Sequence, residues 1–214
     1  MPCLSCESHA TIEPIGFHDK QIKKNMNSEN KLNKEQQETM QRAYEIFKNA
    51  INNFHSVSAK MWLEKHALSE AETGAGYISE RVHQNKPKQF KEQFEKVELL
   101  KPYPNKIGHL LFGRNSIVFP LKDQHNNIVN FYAIEIEKQT KAFLNQNGLY
   151  PNYPLVTTEK LFITKTILDA ATILQCKLLK EKENVLALFD GEWTAQHTEA
   201  IKSLSQLKEV IVIE

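Results

Sequence analysis

The sequence has few of the features that mark a secreted or membrane protein. Only three of its 214 residues are cysteines. So small and odd a number argues against a disulfide framework and for a reducing cytoplasm. No hydrophobic run approaches the roughly 18 residues of a membrane span, so no membrane partner is expected. The N-terminus also lacks the basic and then apolar pattern of a signal peptide.

A strong charge of one sign is also missing. The formal net charge is +1, which gives no global signal for nucleic-acid binding. The charge is uneven, however, because the stretch from Arg81 to Gly108 holds seven basic residues against three glutamates, a local charge of +4. Its candidate nucleic-acid contacts are Arg81, Lys86, Lys88 and Lys91, with a solvated helix face as the alternative interpretation.

The length and composition are ordinary for a globular protein of one large or two small domains. An apolar stripe at helical spacing then predicts a helix that faces the core or a partner helix. Ser56 is placed to cap the helix that follows. The stripe consists of Met40, Tyr44, Phe47, Ile51 and Phe54.

A CxxC motif stands near the beginning of the chain. Cys3 and Cys6 place two thiols as zinc ligands are placed, and His9 and His18 are the available partners for a four-ligand site. The histidine spacing matches no standard finger. The alternatives are therefore a zinc site and a pair of unliganded thiols.

The last fifty-five residues predict a small parallel sheet. Apolar runs at 161–164, 185–189 and 210–213 alternate with helical patterns at 166–176 and 194–207. Continuous apolar strands suit a parallel sheet covered on both faces. Ligands of such sheets usually lie beyond the carboxyl ends of the strands. The positions of interest there are Lys165, Asp190, Gly191 and Glu214.

Upstream, residues 116–121 and 128–136 predict a β-hairpin whose turn contains Asn126 and Asn127. From about His55 to the end, several stretches resemble the polymerase core of bacterial DnaG-type primases. The resemblance is greatest to the zinc-finger and toprim primase-like proteins of Bacteroidetes mobile elements. The matching stretches are residues 58–68, the glycine-tyrosine signature at 74–77, and residues 112–121, 141–145, 148–154 and 167–175.

The resemblance implies nucleotidyl transfer at an acidic centre that binds Mg²⁺ or Mn²⁺. It also implies a glutamate after the first parallel strand and an aspartate pair after the third. Lys165 stands at the glutamate position, and the chain ends at Glu214, at or just before the pair. The family commonly has an arginine near Ile134, where the residue here is apolar. The sequence therefore predicts a catalytically incomplete chain.

Three residues are the candidate catalytic residues. Arg114 and Lys141 match positions at which the family contacts the phosphates of nucleotide or template, with ordinary surface cations as the alternative. Asp169 remains as a carboxylate near the centre, and its alternative role is a first-turn charge favoured by the helix dipole.

The predicted fold is α+β, with a helical N-terminal region, a mixed core that contains the hairpin, and a partial toprim-like parallel sheet. The predicted domains are residues 1–30, 31–155 and 156–214. The predicted function is that of a DNA primase-like protein of replication, with single-stranded DNA and nucleotides as partners. A second chain that completes the toprim site is a further predicted partner. The alternatives are a non-catalytic nucleic-acid-binding module and a protein-interaction module that docks through the open edge of the last strand.

Overall fold

The computed structural model describes residues 32–54 and 56–213. Helices and strands alternate irregularly in the first part of this region and regularly in the last part. The helices are α1 (Lys34–Ile51), α2 (Val57–Lys65), α3 (Glu70–Thr73), α4 (Lys88–Lys96), α5 (Ile167–Gln175) and α6 (Ala195–Lys202). The strands are β1 (Gly76–Ile78), β2 (Leu100–Pro102), β3 (His109–Leu111), β4 (Ser116–Lys122), β5 (Ile128–Glu135), β6 (Lys141–Phe143), β7 (Lys160–Thr164), β8 (Glu183–Ala187) and β9 (Glu209–Ile213).

The predicted hairpin is the centre of an antiparallel sheet with the strand order β1-β4-β5-β6. Its turn is closed by Asp123, whose side chain accepts hydrogen bonds from the backbone of His125 and Asn127 at 2.9 Å. Asn126 takes the left-handed conformation, with φ at 65°, as expected of asparagine in a tight turn. Strands β2 and β3 form a separate small hairpin.

Helix α1 packs against the antiparallel sheet. Asn33 caps the helix with a full capping box, and Met40 and Phe47 are buried as the stripe predicted. Phe54 lies beyond the end of the helix and is 89% exposed, so the predicted stripe is one residue too long. Ser56 stands at the N-cap position of α2 as predicted, but its side chain makes no capping hydrogen bond, because its hydroxyl faces the carbonyls of Ile51 and Asn53.

A glycine sets the distance between α1 and the sheet. A Cβ added at Gly76 in β1 would lie 3.0 Å from the Cβ of Phe47 and 3.1 Å from its carbonyl carbon. Any side chain there would push the strand away from the helix. This close approach gives the glycine-tyrosine signature a packing reason.

The predicted parallel sheet is confirmed, with the strand order β8-β7-β9. Its helices lie on opposite faces. Alternate residues of β8 pack with each helix: Val185 in the cluster of α5, and Leu186 in the cluster of α6. Strands β7 and β8 are covered on both faces. The edge strand β9 is not, since Val210 is 39% and Val212 is 55% exposed.

Two residues join the sheets. Leu149 forms a bridge with Lys122 of the antiparallel sheet, and Tyr150 forms one with Ala187 of the parallel sheet. One hydrophobic cluster contains residues of both sheets. The predicted domain boundary at 155/156 stays a prediction, and residues 1–30 lie outside the described residues. No helix within 32–54 and 56–213 is long and apolar enough to cross a membrane.

Candidate functional site

The carboxyl ends of β7 and β8 bring polar residues together. Lys165 directly follows β7, and Asp190 and Gly191 follow the end of β8. The backbone N–H of Gly191 donates to the carbonyl of Lys165 at 2.8 Å, which joins the two strand ends. The Lys165 side chain runs beside Gly191, with its Cγ and Cε 3.6 Å from the place where a Cβ would stand. Three of the predicted positions, Lys165, Asp190 and Gly191, thus lie together, and the fourth, Glu214, lies outside the described residues.

The antiparallel sheet adds two more residues to this surface. Lys141, at the start of β6, places its Nζ 3.3 Å from Oδ1 of Asp190. Tyr132 of β5 is fully buried and extends its hydroxyl to the same oxygen at 3.4 Å. Asp190 is therefore shared by a lysine and a tyrosine. We call Tyr132, Lys141, Lys165, Asp169 and Asp190 the strand-end cluster.

The tyrosine of the cluster stays protonated over the physiological pH range. Burial is the main cause that raises the pKa of Tyr132 far above its usual value, and the charges of Asp190 and Asp169 raise it further. A neutral phenol can donate to Asp190 but carries no charge of its own. Tyr132 therefore stabilises the Asp190 carboxylate by a hydrogen bond.

Asp169 has a structural task in the cluster. It occupies the first turn of α5 and forms a capping box with Thr166. Its Oδ2 accepts from the Thr166 hydroxyl at 2.6 Å and from the Thr166 backbone N–H at 3.2 Å. Of the two roles considered for this residue, the geometry matches the first-turn charge at the helix start.

A row of stacked rings fixes β6 against the end of β8. Tyr132 lies 4.6 Å from Phe143, and Phe143 stacks on Phe189 at 4.3 Å, centroid to centroid. The buried His197 contacts Phe189 edge-on, with 5.4 Å between the ring centroids. These contacts hold Lys141 and Asp190 at a fixed separation.

His197 is held in one tautomer. Its Nδ1 accepts from the backbone N–H of Thr194 at 3.0 Å, so Nε2 must donate to the Ala187 carbonyl, also at 3.0 Å. Burial lowers the pKa of His197, and the bond to Ala187 opposes this shift. No pattern in the sequence singled out His197. Its place three residues after Thr194, as in a capping box, is the one signal that was available.

The described members of the cluster do not match a divalent-metal site. Asp190 is engaged by Lys141 and Tyr132, Asp169 caps a helix, and Lys165 offers no acceptor. Within residues 32–54 and 56–213 there is no group of three or more histidine, cysteine or acidic side chains that could hold a metal ion. The predicted zinc ligands Cys3 and Cys6, with His9 and His18, lie outside the described residues, and zinc binding stays a prediction.

Arg114 lies at the same end of the antiparallel sheet as Lys141. The strand register sets this, because Ser116 pairs with Glu135 and Ile134 pairs with Lys141. The Arg114 guanidinium lies 3.2 Å from a carboxylate oxygen of Glu80, and both side chains are more than half exposed.

A cleft of about 570 Å³ opens beside the Arg114 loop. It lies between the end of α1 and the turn that follows β1. The hydroxyl of Tyr77 donates to Asn115 at 2.7 Å in its wall. The other lining residues are Ala50, Asn53, Phe54, Ser56, Ser79, Glu80 and Arg81. Arg81 thus lines this cleft, and its contact with nucleic acid stays a prediction.

Those lysines lie around the start of α4. Lys86 and Lys88 are exposed, and Lys91 is half-buried. Lys88 forms an exposed pair with Glu92 at 3.5 Å. The Lys86 ammonium lies 5.6 Å from the centroid of the Phe90 ring. We call Lys86, Lys88 and Lys91 the α4 basic surface.

Sequence reasoning missed one basic neighbour of this surface. The Arg42 guanidinium of α1 lies 5.5 Å from the Phe90 ring centroid. It lies almost fifty residues before Phe90 in the chain, so no local pattern could have joined the two. Phe90 is buried and carries cations above its ring from two different segments.

Solved structures with a similar fold are catalytic domains of DnaG primases. A DnaG primase catalytic domain bound to ssDNA matches with a TM-score of 0.66 and 14% identity, over 83% of this chain and 60% of that chain. The RNA polymerase domain of Mycobacterium tuberculosis DnaG, in complex with a double-stranded DNA oligomer with a 6-nucleotide overhang, matches with a TM-score of 0.66 and 11% identity. The match covers 85% of this chain and 64% of that chain. The zinc-binding and RNA polymerase domains of Aquifex aeolicus primase match with a TM-score of 0.68 and 13% identity, over 86% of this chain and 49% of that chain.

The chain thus spans 60%, 64% and 49% of the length of these structures. No protein-family profile matches the sequence, and no curated protein matches it significantly. At these identities the likeness shows a shared fold. The predicted resemblance to DnaG-type primase cores and the predicted α+β class are confirmed, and the narrower resemblance to proteins of Bacteroidetes mobile elements stays a prediction.

Proposed function

Starting from the fold of a DnaG catalytic core, we propose that the chain is a primase-like protein of DNA replication that binds single-stranded DNA. The observation that supports this most is the combination of that fold with a cluster of accessible lysines at α4. One structure with this fold is a complex with ssDNA.

The α4 basic surface is suited to phosphate. Its lysines form, within the described part of the chain, one exposed ion pair, between Lys88 and Glu92. An exposed pair contributes little stability and is easily exchanged for a phosphate. Lysines give sequence-independent affinity, which falls as salt rises.

Arg114 and Lys141 are proposed to contact phosphates at the end of the antiparallel sheet. Each has one acidic partner, Glu80 for Arg114 and Asp190 for Lys141. Both pairs are partly open to solvent, so a phosphate can compete for either cation. Arg114 can grip a phosphate with two hydrogen bonds, whereas Lys141 acts as a point charge.

RNA primer synthesis is the reaction that the fold suggests, with nucleotides as substrates. A divalent ion would stabilise charge on the attacking and leaving oxygens. Since the described strand-end cluster does not match such an ion, we propose that this chain alone binds DNA without making primer. A second polypeptide would then supply the acidic ligands.

The test is fluorescence anisotropy with a labelled single-stranded oligonucleotide at several salt concentrations. We expect the wild type to bind at low salt. Replacing all three lysines of the α4 basic surface by alanine should make the slope of log K against log salt concentration shallower by about 2, because each lost contact with a single strand removes roughly 0.7 from that slope.

The control replaces three exposed lysines elsewhere by alanine, namely Lys60, Lys65 and Lys202. If it weakens binding as much as the α4 variant does, the assignment to α4 is wrong. If the wild type does not bind even at low salt, DNA binding itself is refuted. A primer-synthesis assay with Mg²⁺ or Mn²⁺ runs in parallel, and primer made by the wild type would contradict the non-catalytic proposal.

An interaction module is the second candidate, and the exposed valines of β9 favour it. Val210 and Val212 stand on an edge strand, whose open backbone groups can pair with another strand. A second copy of this chain is the simplest partner. Sedimentation at micromolar concentrations decides: a dimer supports pairing along β9, and a monomer contradicts pairing between copies.

A further inference from the structure

The carboxyl edge of the parallel sheet has one cation that is not neutralised within the described chain. Lys165 is exposed, and it forms no ion pair with any residue in 32–54 or 56–213. The other charged members of the strand-end cluster are engaged. Lys141 pairs with Asp190, and Asp169 is bound by Thr166.

The position of Lys165 is one where this class of sheet binds ligands. It is the first residue after β7, the central strand of the sheet. In open α/β sheets, ligands lie beyond the carboxyl ends of the strands. The DnaG resemblance implies a carboxylate and a divalent cation here, and the described donor set does not match them.

The two chemistries differ in a simple way. A carboxylate holds a metal, and the metal then holds a phosphate. An ammonium group can contact the phosphate itself, as a point charge with three donors. A lysine in place of the carboxylate keeps the positive charge that faces the phosphate and removes the need for the ion.

We propose that Lys165 binds a phosphate group of single-stranded DNA or of a nucleotide directly, at the place where the fold implies a metal-bound phosphate. The proposal deepens the proposed function and rests on it. It predicts phosphate binding at this edge that is insensitive to a metal chelator.

The local backbone helps to present the Lys165 ammonium. Its aliphatic stem lies alongside Gly191, which has no side chain to displace it. The hydrogen bond from Gly191 N–H to the Lys165 carbonyl fixes the backbone at 2.8 Å. The stem is thereby supported while the side chain remains exposed.

Nearby carboxylates do not cancel this charge. Asp190 and Glu192 flank Gly191. Lys141 and the Tyr132 hydroxyl already share Oδ1 of Asp190, at 3.3 and 3.4 Å, and the exposed Glu192 forms no ion pair with Lys165 in the described part of the chain. Asp169 gives its Oδ2 to the backbone and hydroxyl of Thr166. An arriving phosphate therefore meets an unshared cation at Lys165.

The experiment compares wild type, Lys165→Gln, Lys165→Glu and the control Lys202→Gln with two probes. One probe is a labelled single-stranded oligonucleotide, followed by anisotropy. The other is inorganic triphosphate, followed by calorimetry. Each is measured with EDTA and with Mg²⁺. The chain is used at full length.

We expect Lys165→Gln to lower the affinity for at least one probe by about five- to tenfold. Lys165→Glu should bind that probe more weakly still, and Lys202→Gln should bind it as the wild type does. Wild-type binding should persist in EDTA, because no metal ion is needed. An effect on the oligonucleotide alone indicates the DNA backbone, and an effect on triphosphate alone indicates a nucleotide.

Two results would overturn the inference. In the first, neither probe responds to Lys165→Gln or Lys165→Glu. In the second, EDTA abolishes wild-type binding to every probe that depends on Lys165. The first can occur while the α4 surface still binds DNA, which leaves the proposed function standing. A wild type that binds triphosphate through Lys165 but no oligonucleotide refutes DNA binding and leaves the phosphate site.

Discussion

Removing the hydroxyl of Tyr150 should destabilise the fold measurably. Tyr150 is 1% exposed, and its hydroxyl donates to the Thr73 carbonyl at 2.8 Å. Its own carbonyl accepts from the backbone N–H of Ala187 at 3.0 Å. The residue therefore links α3 to the parallel sheet. Tyr150→Phe keeps the ring and its edge-on contact with Phe119, at 5.5 Å between centroids, and removes the side-chain hydrogen bond.

The expected magnitude follows from burial. Thr73 is 3% exposed, so water cannot easily replace the lost donor at its carbonyl. Leaving a buried acceptor unsatisfied costs about 1–3 kcal/mol. The middle of this range, about 2 kcal/mol, raises the unfolding equilibrium constant roughly 30-fold.

Equilibrium urea unfolding of wild type and Tyr150→Phe measures this cost. The dependence on urea should be unchanged, because the variant exposes the same surface on unfolding. Tyr44→Phe is the matched control, since Tyr44 also donates to a backbone carbonyl, that of Gly74, at 3.1 Å, but is only half-buried. A Tyr150→Phe cost no larger than that of Tyr44→Phe would refute the argument from burial.

Two further predictions concern stability. Gly76→Ala should cost about 1–3 kcal/mol in urea unfolding, because its Cβ would stand 3.0 Å from that of Phe47; an unchanged midpoint would contradict this. Burial lowers the pKa of His197 below 6.5, so the unfolded chain binds the proton more readily. Its contribution to stability is complete above pH 6.5 and is lost as pH falls towards the folded-state pKa. Urea unfolding at several pH values should therefore show a smaller loss of stability on acidification in His197→Asn than in wild type. Burial also lowers the pKa of His83, so His83→Asn is the comparison and should remove only the pH dependence that His83 contributes.

Much of the fold could be predicted from local patterns. The alternation of apolar and turn residues predicted the β4–β5 hairpin, and the apolar runs predicted all three parallel strands. The short strands β1, β2, β3 and β6 were not predicted, and the other errors lie at boundaries. The second strand begins at Glu183, two residues earlier than predicted, and α6 ends at Lys202, five residues earlier. Boundaries depend on caps and turns, and these signals are weaker than periodicity.

The site was only partly visible in the sequence. Lys165 and Asp190 could be placed at the strand ends because chain order alone puts them there. The pairing of Asp190 with Lys141 could not, since these residues are far apart in sequence and come from different sheets. The roles proposed for Arg114, Lys141 and the α4 lysines remain predictions with a defined geometry.

The sequence by itself determined the elements, their order and the lysine that follows β7, because periodicity, turn residues and residue identity are local properties. Only the tertiary structure decided which charged side chains have partners. It put Tyr132 and Lys141 on one oxygen of Asp190, Thr166 on Asp169, and no described acid on Lys165. A charge becomes available or engaged through neighbours within a few ångströms, and those neighbours are chosen by packing between segments that are distant in the chain.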